Sequence, residues 1–350
     1  MRSKKQDGRD QMRNFSGQSA WTVFLAIWIH LLLPAGVSAQ SINIEAAKKE
    51  GVVVAYGAVP PPTMSGINKA FEKKYGVRVE YWRASTTQIL DRVLTETRAG
   101  RPQVDVVEGN IGTQLILEKE GLLASFFPPS TAEFPQRLLN KQSAQVPWRT
   151  NPVSIVYHTE LVNKDSVPKT FLDLLQPRWA GKISVPDPSS HTTTAQFFVN
   201  LGKYNINWRD FAKKVEQQKP HLVTGFVQVM DVVVRGESLA GITYLKYVGA
   251  KKTPTDFVRL DKYLADVNTL ALSRRAPHSN AGKLYMEFLC SLEGQKEMAA
   301  KGEFVVSPKA SPTFEGAESV PEKVVFMDVP SDEEFKNLAK EFRQIFFTGK

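Results

Sequence analysis

Cysteine is almost missing from this 350-residue chain: Cys290 stands alone. A single thiol closes no internal disulfide. In the apolar stretch "AGKLYMEFLCSLEGQ" it has no basic neighbour or paired histidine to activate it, so it reads as a buried structural thiol. Histidine is scarce too. His158, His191, His221 and His278 share no metal-ligand spacing and read as loop or surface residues, His191 being the exception worth testing. There is no G-x-G-x-x-G opening a helix, no P-loop, no H-E-x-x-H, no C-x-x-C and no G-x-S-x-G, and together these absences argue against an enzyme. Asp105 and Glu108 in "VDVVEGN" make no acid–base pair, because an i, i+3 spacing on a strand points them to opposite faces. Asp105 is expected to bond backbone, and Glu108 to sit at a rim.

Long apolar runs are also missing, with one exception. Arg2, Lys4, Lys5, Arg9 and Arg13 precede "WTVFLAIWIHLLLPAG" and then the small-residue site "VSAQ". This is the pattern of a secretory signal peptide over residues 1–39, cleaved after Ala39. The competing reading, an uncleaved anchor, needs a span of about 20 apolar residues, and this run is shorter and ends in Pro34 and Gly36. Removal of five basic and two acidic side chains takes the formal net charge from +9 to +6. Gln40, not a cysteine, stands directly after the cleavage site, so no lipid anchor is expected and the mature chain should be free in the periplasm. Its Lys and Arg are scattered rather than massed, and no nucleic-acid module is visible. Anionic small ligands are a better match than nucleic acid.

What is present is a grammar. The length fits two lobes of about 150 residues each. "GVVVAYGA" is a short apolar run suited to a strand buried on both faces, "TMSGINKAFEKKYG" has Met64, Ile67 and Phe71 at helical spacing before Gly76, and "VRVEYW" is the next strand. "TTQILDRVLTETRAG" and "QVDVVEG" repeat the unit. "VPWRTNPVSIVYH" reads as an extended crossover, after which the same alternation resumes. "NAGKLYMEFLCSLEGQKEMAA" predicts one long amphipathic helix, and "SDEEFKNLAKEFRQIFF" a closing one. The fold class is therefore α/β, two doubly wound lobes joined by a hinge, with ligands at the loops beyond the carboxyl ends of the strands.

Two such loops place polar side chains ahead of helices, where free N–H groups and the helix dipole favour an anion. Ser85 and Thr86 do so in the first lobe, where a plain helix cap is the alternative reading. Ser189, Ser190 and His191, followed by Thr192 and Thr193, do so in the second and exceed what one cap requires. Arg149 in "VPWRTNP" offers a bidentate anion partner at the crossover, or is a solvated arginine. In "GITYLKYV", a continuous strand points Tyr244 and Lys246 one way and Tyr247 the other. If a turn begins after Tyr244, both tyrosines face the cleft.

The order of these pieces resembles the periplasmic solute-binding proteins of ABC importers, in the group that includes ferric-iron-binding proteins. The residues carrying it are "AAKKEGVVVAYGA" with "INKAFEKKYGVRVEYW", "RVLTETRAGRPQVDVV", "WAGKISVPDP", "VVRGESLAGITYLKYV" and above all "APHSNAGKLYMEFLCSLEGQKEMAAKGEF". The resemblance covers nearly all of the mature chain. It implies the type II periplasmic binding protein fold, with residues 40–150 and 266–312 in one lobe and 151–265 and 313–350 in the other. It also implies a monomer without a fixed cofactor, delivering a small molecule or ion to an inner-membrane permease with its cytoplasmic ATPase; a periplasmic sensory module is the rival role. In iron-binding members two adjacent tyrosines after a "GE" segment supply phenolates to Fe(III), beside a synergistic anion. Counted from Gly236 and Glu237, those positions are Lys246 and Tyr247 here. An ammonium at a ligand position repels Fe(III), so an oxyanion or organic anion is the expected ligand, and Fe(III) held by Tyr247 and Tyr244 is the alternative.

Overall fold

The computed structural model describes residues 42–249 and 253–347. The signal segment 1–39, with Lys251 and Lys252, lies outside the described residues. Helix α1 (Ile44–Glu50) starts at Asn43, whose side chain accepts from the Ala46 N–H, and stops at the left-handed Gly51. Then come β1 (Val52–Gly57), α2 (Pro61–Tyr75), β2 (Arg78–Arg83), α3 (Thr86–Arg98), β3 (Val106–Asn110), α4 (Ile111–Lys119) and β4 (Leu123–Ala124). Strand β5 (Val146–His158) is followed by β6 (Ile183–Pro186), α5 (Thr192–Val199), α6 (Trp208–Gln217), β7 (His221–Val223), α7 (Phe226–Val234) and β8 (Ala240–Tyr244). The remainder is β9 (Thr255–Phe257), β10 (Tyr263–Ser273), α8 (Ser279–Cys290), α9 (Leu292–Ala299), β11 (Phe304–Val305), β12 (Val324–Phe326) and α10 (Asp332–Phe347).

The strands run in the order β2-β1-β3-β10-β5-β8-β6-β7. β1 pairs parallel with β2 and β3, and β6 parallel with β7 and β8, as crossover helices require. Two strands break the parallel rule. β10 lies antiparallel between β3 and β5, and β5 continues antiparallel onto β8. β5, 13 residues long, is thus shared by the two halves of the fold.

Period-two alternation explains the layering on the first half. In β1, Val53 and Ala55 face the core built by Ile67, Phe71, Tyr285 and Phe288, while Tyr56 faces the opposite core of Ile89, Val93 and Leu117. A strand buried on both faces must be apolar throughout, which is what "VVVAY" is. The second half packs Ile155, Phe171, Phe197, Phe211, Val229, Ile242 and Phe342 together. Each fully buried large side chain contributes about 1.5–3 kcal/mol.

One expected element divides. The single long helix over residues 280–300 is two, α8 and α9, separated at Ser291, whose backbone is extended and whose Oγ accepts from the Gly294 N–H. The corner is tight, since a Cβ on Gly294 would collide with the Phe288 carbonyl. Cys290 ends α8 fully buried, its thiol pushed well up by burial.

Candidate functional site

Alternation along β5 puts Arg149 and Asn151 on one face of the sheet. The register sets Asn268 of β10 opposite Arg149 and Asp266 opposite Asn151, and the Asn151 amide donates to Asp266 at 3.3 Å. Glu108, near the end of β3, reaches Arg149 from the other side, Nη2 to Oε1 at 3.1 Å. Its second oxygen accepts from the Ala58 N–H at 2.6 Å. Glu108 is therefore no rim residue, as expected above: it is 5% exposed, because an arginine two strands away neutralises it. Arg149, 6% exposed, is likewise not solvated.

Strand β8 ends at Tyr244, and a single 3-10 turn, Leu245–Tyr247, follows. Of the two readings of this stretch, the turn is the one observed. It sends Leu245 into the core and turns Lys246 and Tyr247 toward Arg149. The Lys246 ammonium lies 5.8 Å from the ring centres of both Tyr244 and Tyr247. It also lies 3.3 and 3.4 Å from the two carboxylate oxygens of Glu303. Glu303 sits between the left-handed Gly302, which closes the turn after α9, and β11, and its Oε2 is 3.2 Å from Arg149 Nη1. The result is an alternating chain of charges, Glu108–Arg149–Glu303–Lys246, running across the seam of the two halves.

Arg149, Glu303 and Lys246 of this chain line a cleft of about 630 Å³, bordered also by Ala58, Pro60 and Tyr247, with Lys301 at its edge. Gly57 leads into this border: a Cβ there would meet the Tyr81 ring, whose hydroxyl donates to the Val59 carbonyl at 3.0 Å. Pro60, Pro61 and Pro62 carry no N–H, and the Thr63 N–H is spent on the Pro60 carbonyl at 3.0 Å, so the first turn of α2 has no free backbone donor. Recognition on this side falls to side chains.

The electrostatics follow from burial and pairing. Burial opposes the Arg149 charge, but Glu108 and Glu303 hold its pKa above the ordinary value. Burial pulls the Lys246 ammonium down, Arg149 adding to the effect and Glu303 opposing it. Burial would push Glu303 up, yet Arg149 and Lys246 together hold its carboxyl below the usual range. Asp266 is pushed up by burial. Tyr247 is pushed up to about 12 by burial and by Glu303, and Tyr244 is pushed well above its ordinary value by burial and Asp266, so both phenols are hydrogen-bond donors at neutral pH.

The loop hydroxyls are placed differently from one another. Ser85 is exposed and forms a reciprocal capping box with Gln88. Thr86 accepts from the Asn110 amide at 3.5 Å, at the end of β3. Ser189 and Ser190 are drawn into a turn around Asp187, which accepts from the Ser189 N–H at 2.8 Å and from Ser190 Oγ at 3.0 Å. His191 caps α5, its Nδ1 accepting from the Thr194 N–H, and burial lowers its pKa so the ring is neutral. Its ring meets Phe226 edge-on at 5.0 Å, and Phe226 packs on Tyr244 at 4.3 Å with the rings tilted by 45°. The Tyr244 hydroxyl in turn donates to Asp266 at 3.3 Å. Arg149, Tyr244, Lys246 and Tyr247 thus form one cluster; His191 joins it through Phe226; Ser85, Ser189 and Ser190 serve their own turns.

Glu303 and Asp266 were missed from sequence. Asp266 had a signal: one carboxylate inside the apolar strand "YLADVNTLAL" demands a buried partner. Glu303, in the helix-ending turn "AKGEF", had none.

A mixed α/β fold in two halves, with a charged, aromatic-edged cleft at the strands they share, defines the class of proteins that bind a small solute. The chain belongs to the bacterial extracellular solute-binding protein family, whose profile matches residues 52–302. It is similar to the probable ABC transporter periplasmic-binding protein y4fP of Sinorhizobium fredii, 25% identical over 122 residues, which are 35% of this chain and 34% of that protein. Among solved structures it shares the fold of iron-bound HitA from Pseudomonas aeruginosa, with a TM-score of 0.66, 19% identity, and coverage of 83% of this chain and 99% of the other. It also shares the fold of the periplasmic binding protein AfuA from Actinobacillus pleuropneumoniae, solved with fructose-6-phosphate, with a TM-score of 0.59, 19% identity, and 85% and 97% coverage. Among the described residues no helix is long and apolar enough to cross a membrane.

Proposed function

We propose that this protein is the solute-capturing component of an ABC importer, freed into the periplasm by removal of residues 1–39 and acting as a monomer that binds without turning its ligand over. It hands a small oxyanion or organic anion to an inner-membrane permease driven by a cytoplasmic ATPase. The observation that carries the ligand class is Lys246, an ammonium at the centre of the cleft cluster beside the Arg149 guanidinium, with Tyr244 and Tyr247 as neutral donors flanking it. Cations that sit in a partly dehydrated cleft bind oxyanions with charge-assisted hydrogen bonds. The likeness to y4fP, a probable ABC transporter periplasmic-binding protein, supports the transport role, and the fructose-6-phosphate bound to AfuA supports an anionic organic ligand on this fold.

Fe(III) is the second reading, favoured by the iron in HitA and by the oxygen donors Tyr244, Tyr247 and Glu303 near one another. Lys246 opposes it, because its ammonium lies against both tyrosine rings and would sit beside a trivalent cation. The deciding experiment is native mass spectrometry of freshly purified protein together with a thermal-shift panel of phosphates, phosphonates, sulfonates, carboxylates and Fe(III). A bound anion at 100 times its Kd raises stability by about 2.7 kcal/mol. A visible Fe(III)–phenolate band in the wild type that persists in Lys246→Ala would overturn the anion reading.

A further inference from the structure

The two buried glutamates of the charge chain are held in different ways. Glu108 is fixed from both ends: one oxygen is on Arg149, and the other on the Ala58 N–H at 2.6 Å. Glu303 has no such tether. Among the described residues its side-chain hydrogen bonds go only to the two cations of the cleft, Arg149 at 3.2 Å and Lys246 at 3.3 and 3.4 Å, and its side chain keeps 12% of its surface exposed. It therefore stands where a ligand's own oxyanion would stand, on the donors a ligand would use. We propose that Glu303 is the internal occupant of the anion subsite and sets the charge a solute must carry to enter: a dianionic phosphoryl group displaces its carboxylate, and a monocarboxylate does not. This rests on the anion reading of the cleft.

The selection follows from matching charge for charge. A monocarboxylate offers Lys246 and Arg149 the same group that Glu303 already supplies, and it competes against a tethered group whose effective concentration is on the order of millimolar or more. Exchange gains it nothing. A phosphoryl dianion carries about twice the charge and three acceptor oxygens, so it spans both cations at once and gains Coulomb energy that the side chain cannot match. The displaced carboxylate is free to rotate toward solvent about its own side-chain torsions, because no backbone group holds it. Lys301 at the cleft edge makes no ion pair among the described residues and adds a further cation for the second charge.

The test is calorimetric titration of the wild type and Glu303→Gln with two pairs of probes, fructose 6-phosphate against gluconate and inorganic phosphate against acetate. In the wild type the phosphoryl member of each pair binds and the carboxylate binds at least roughly 100-fold more weakly; in Glu303→Gln both members tighten by roughly tenfold or more, because the tethered carboxylate each must displace has lost its charge, and the carboxylate comes within measurable range. Glu303→Asp, shortened by one methylene, keeps the charge but loses reach, and tightens both members by less. It carries the test if the glutamine variant does not fold. If both members of a pair weaken, Glu303 contacts the solute directly and the proposal fails; unchanged affinities sink it equally. If neither protein binds any of the four anions, the anion reading of the cleft falls, and the proposal with it.

Discussion

Replacing Arg149 by methionine removes the one cation that serves Glu108. Both side chains are almost wholly buried, at 7% and 6% exposure, and they meet at 3.1 Å. Breaking a buried pair by deleting one partner costs about 3–5 kcal/mol, most of it the uncompensated charge left behind. Here the two carboxylates fare differently. Glu303 retains Lys246 and has a path to solvent, whereas Glu108 keeps only the Ala58 N–H, so the lower end of the range, about 3 kcal/mol, is expected. At roughly 2 °C per kcal/mol for a chain this long, the melting temperature falls by about 6 °C. The double variant Arg149→Met/Glu108→Gln should regain more than half of that loss, since it removes the stranded charge as well. Calorimetric melts of the three proteins at neutral pH read both effects. A single variant within about 1 kcal/mol of the wild type, or a double variant no more stable than the single, would refute the reasoning.

Two further outcomes are expected. Asp266→Asn should be neutral or stabilising at neutral pH: burial raises the Asp266 pKa above its unfolded value, so the wild type loses stability as the carboxyl ionises and recovers it as the pH falls. The new amide can still accept from Asn151 and Tyr244, and it can donate to the Asn151 Oδ1, which has no partner in the wild type; a loss of more than about 1 kcal/mol at neutral pH in urea titrations would show that the carboxylate charge is required there. Ser85→Ala should cost about 1 kcal/mol of stability by removing the cap of α3, while leaving the affinity for whichever anion binds unchanged within about twofold; a larger affinity loss would return Ser85 to the ligand.

The sequence was informative where a pattern is local. The run from β1 to β3 was legible because strand and helix periods change inside windows of a few residues, and Ser85 marked the start of α3, the structure adding Gln88 as its partner in the cap. The turn after Tyr244 was only half legible, since "TYLKYV" satisfies a strand and a turn equally well; tertiary pairing of β8 with β5, which ends at Tyr244, decides between them. Ser291 split an otherwise continuous helical pattern, since serine caps a helix as readily as it passes through one. The cluster itself was least legible. Glu303 and Arg149 are 154 residues apart in sequence and Glu108 and Arg149 are 41 apart, and no spacing rule spans such distances. Arginine at the crossover read equally as ligand or as solvated surface until β3 and β11 were placed on either side of it.

The position of β10 constrains when the protein can fold. This strand fills the gap between β3 and β5, yet it is made after β6, β7, β8 and β9. Until Tyr263–Ser273 has emerged, β3 has an open edge and the sheet of β1, β2 and β3 cannot join the rest. Pairings so remote in sequence form slowly, because the loop must close before any contact rewards it. Joining the two halves is therefore a late step, one that waits on a strand from the last third of the chain however early β1, β2 and β3 have paired.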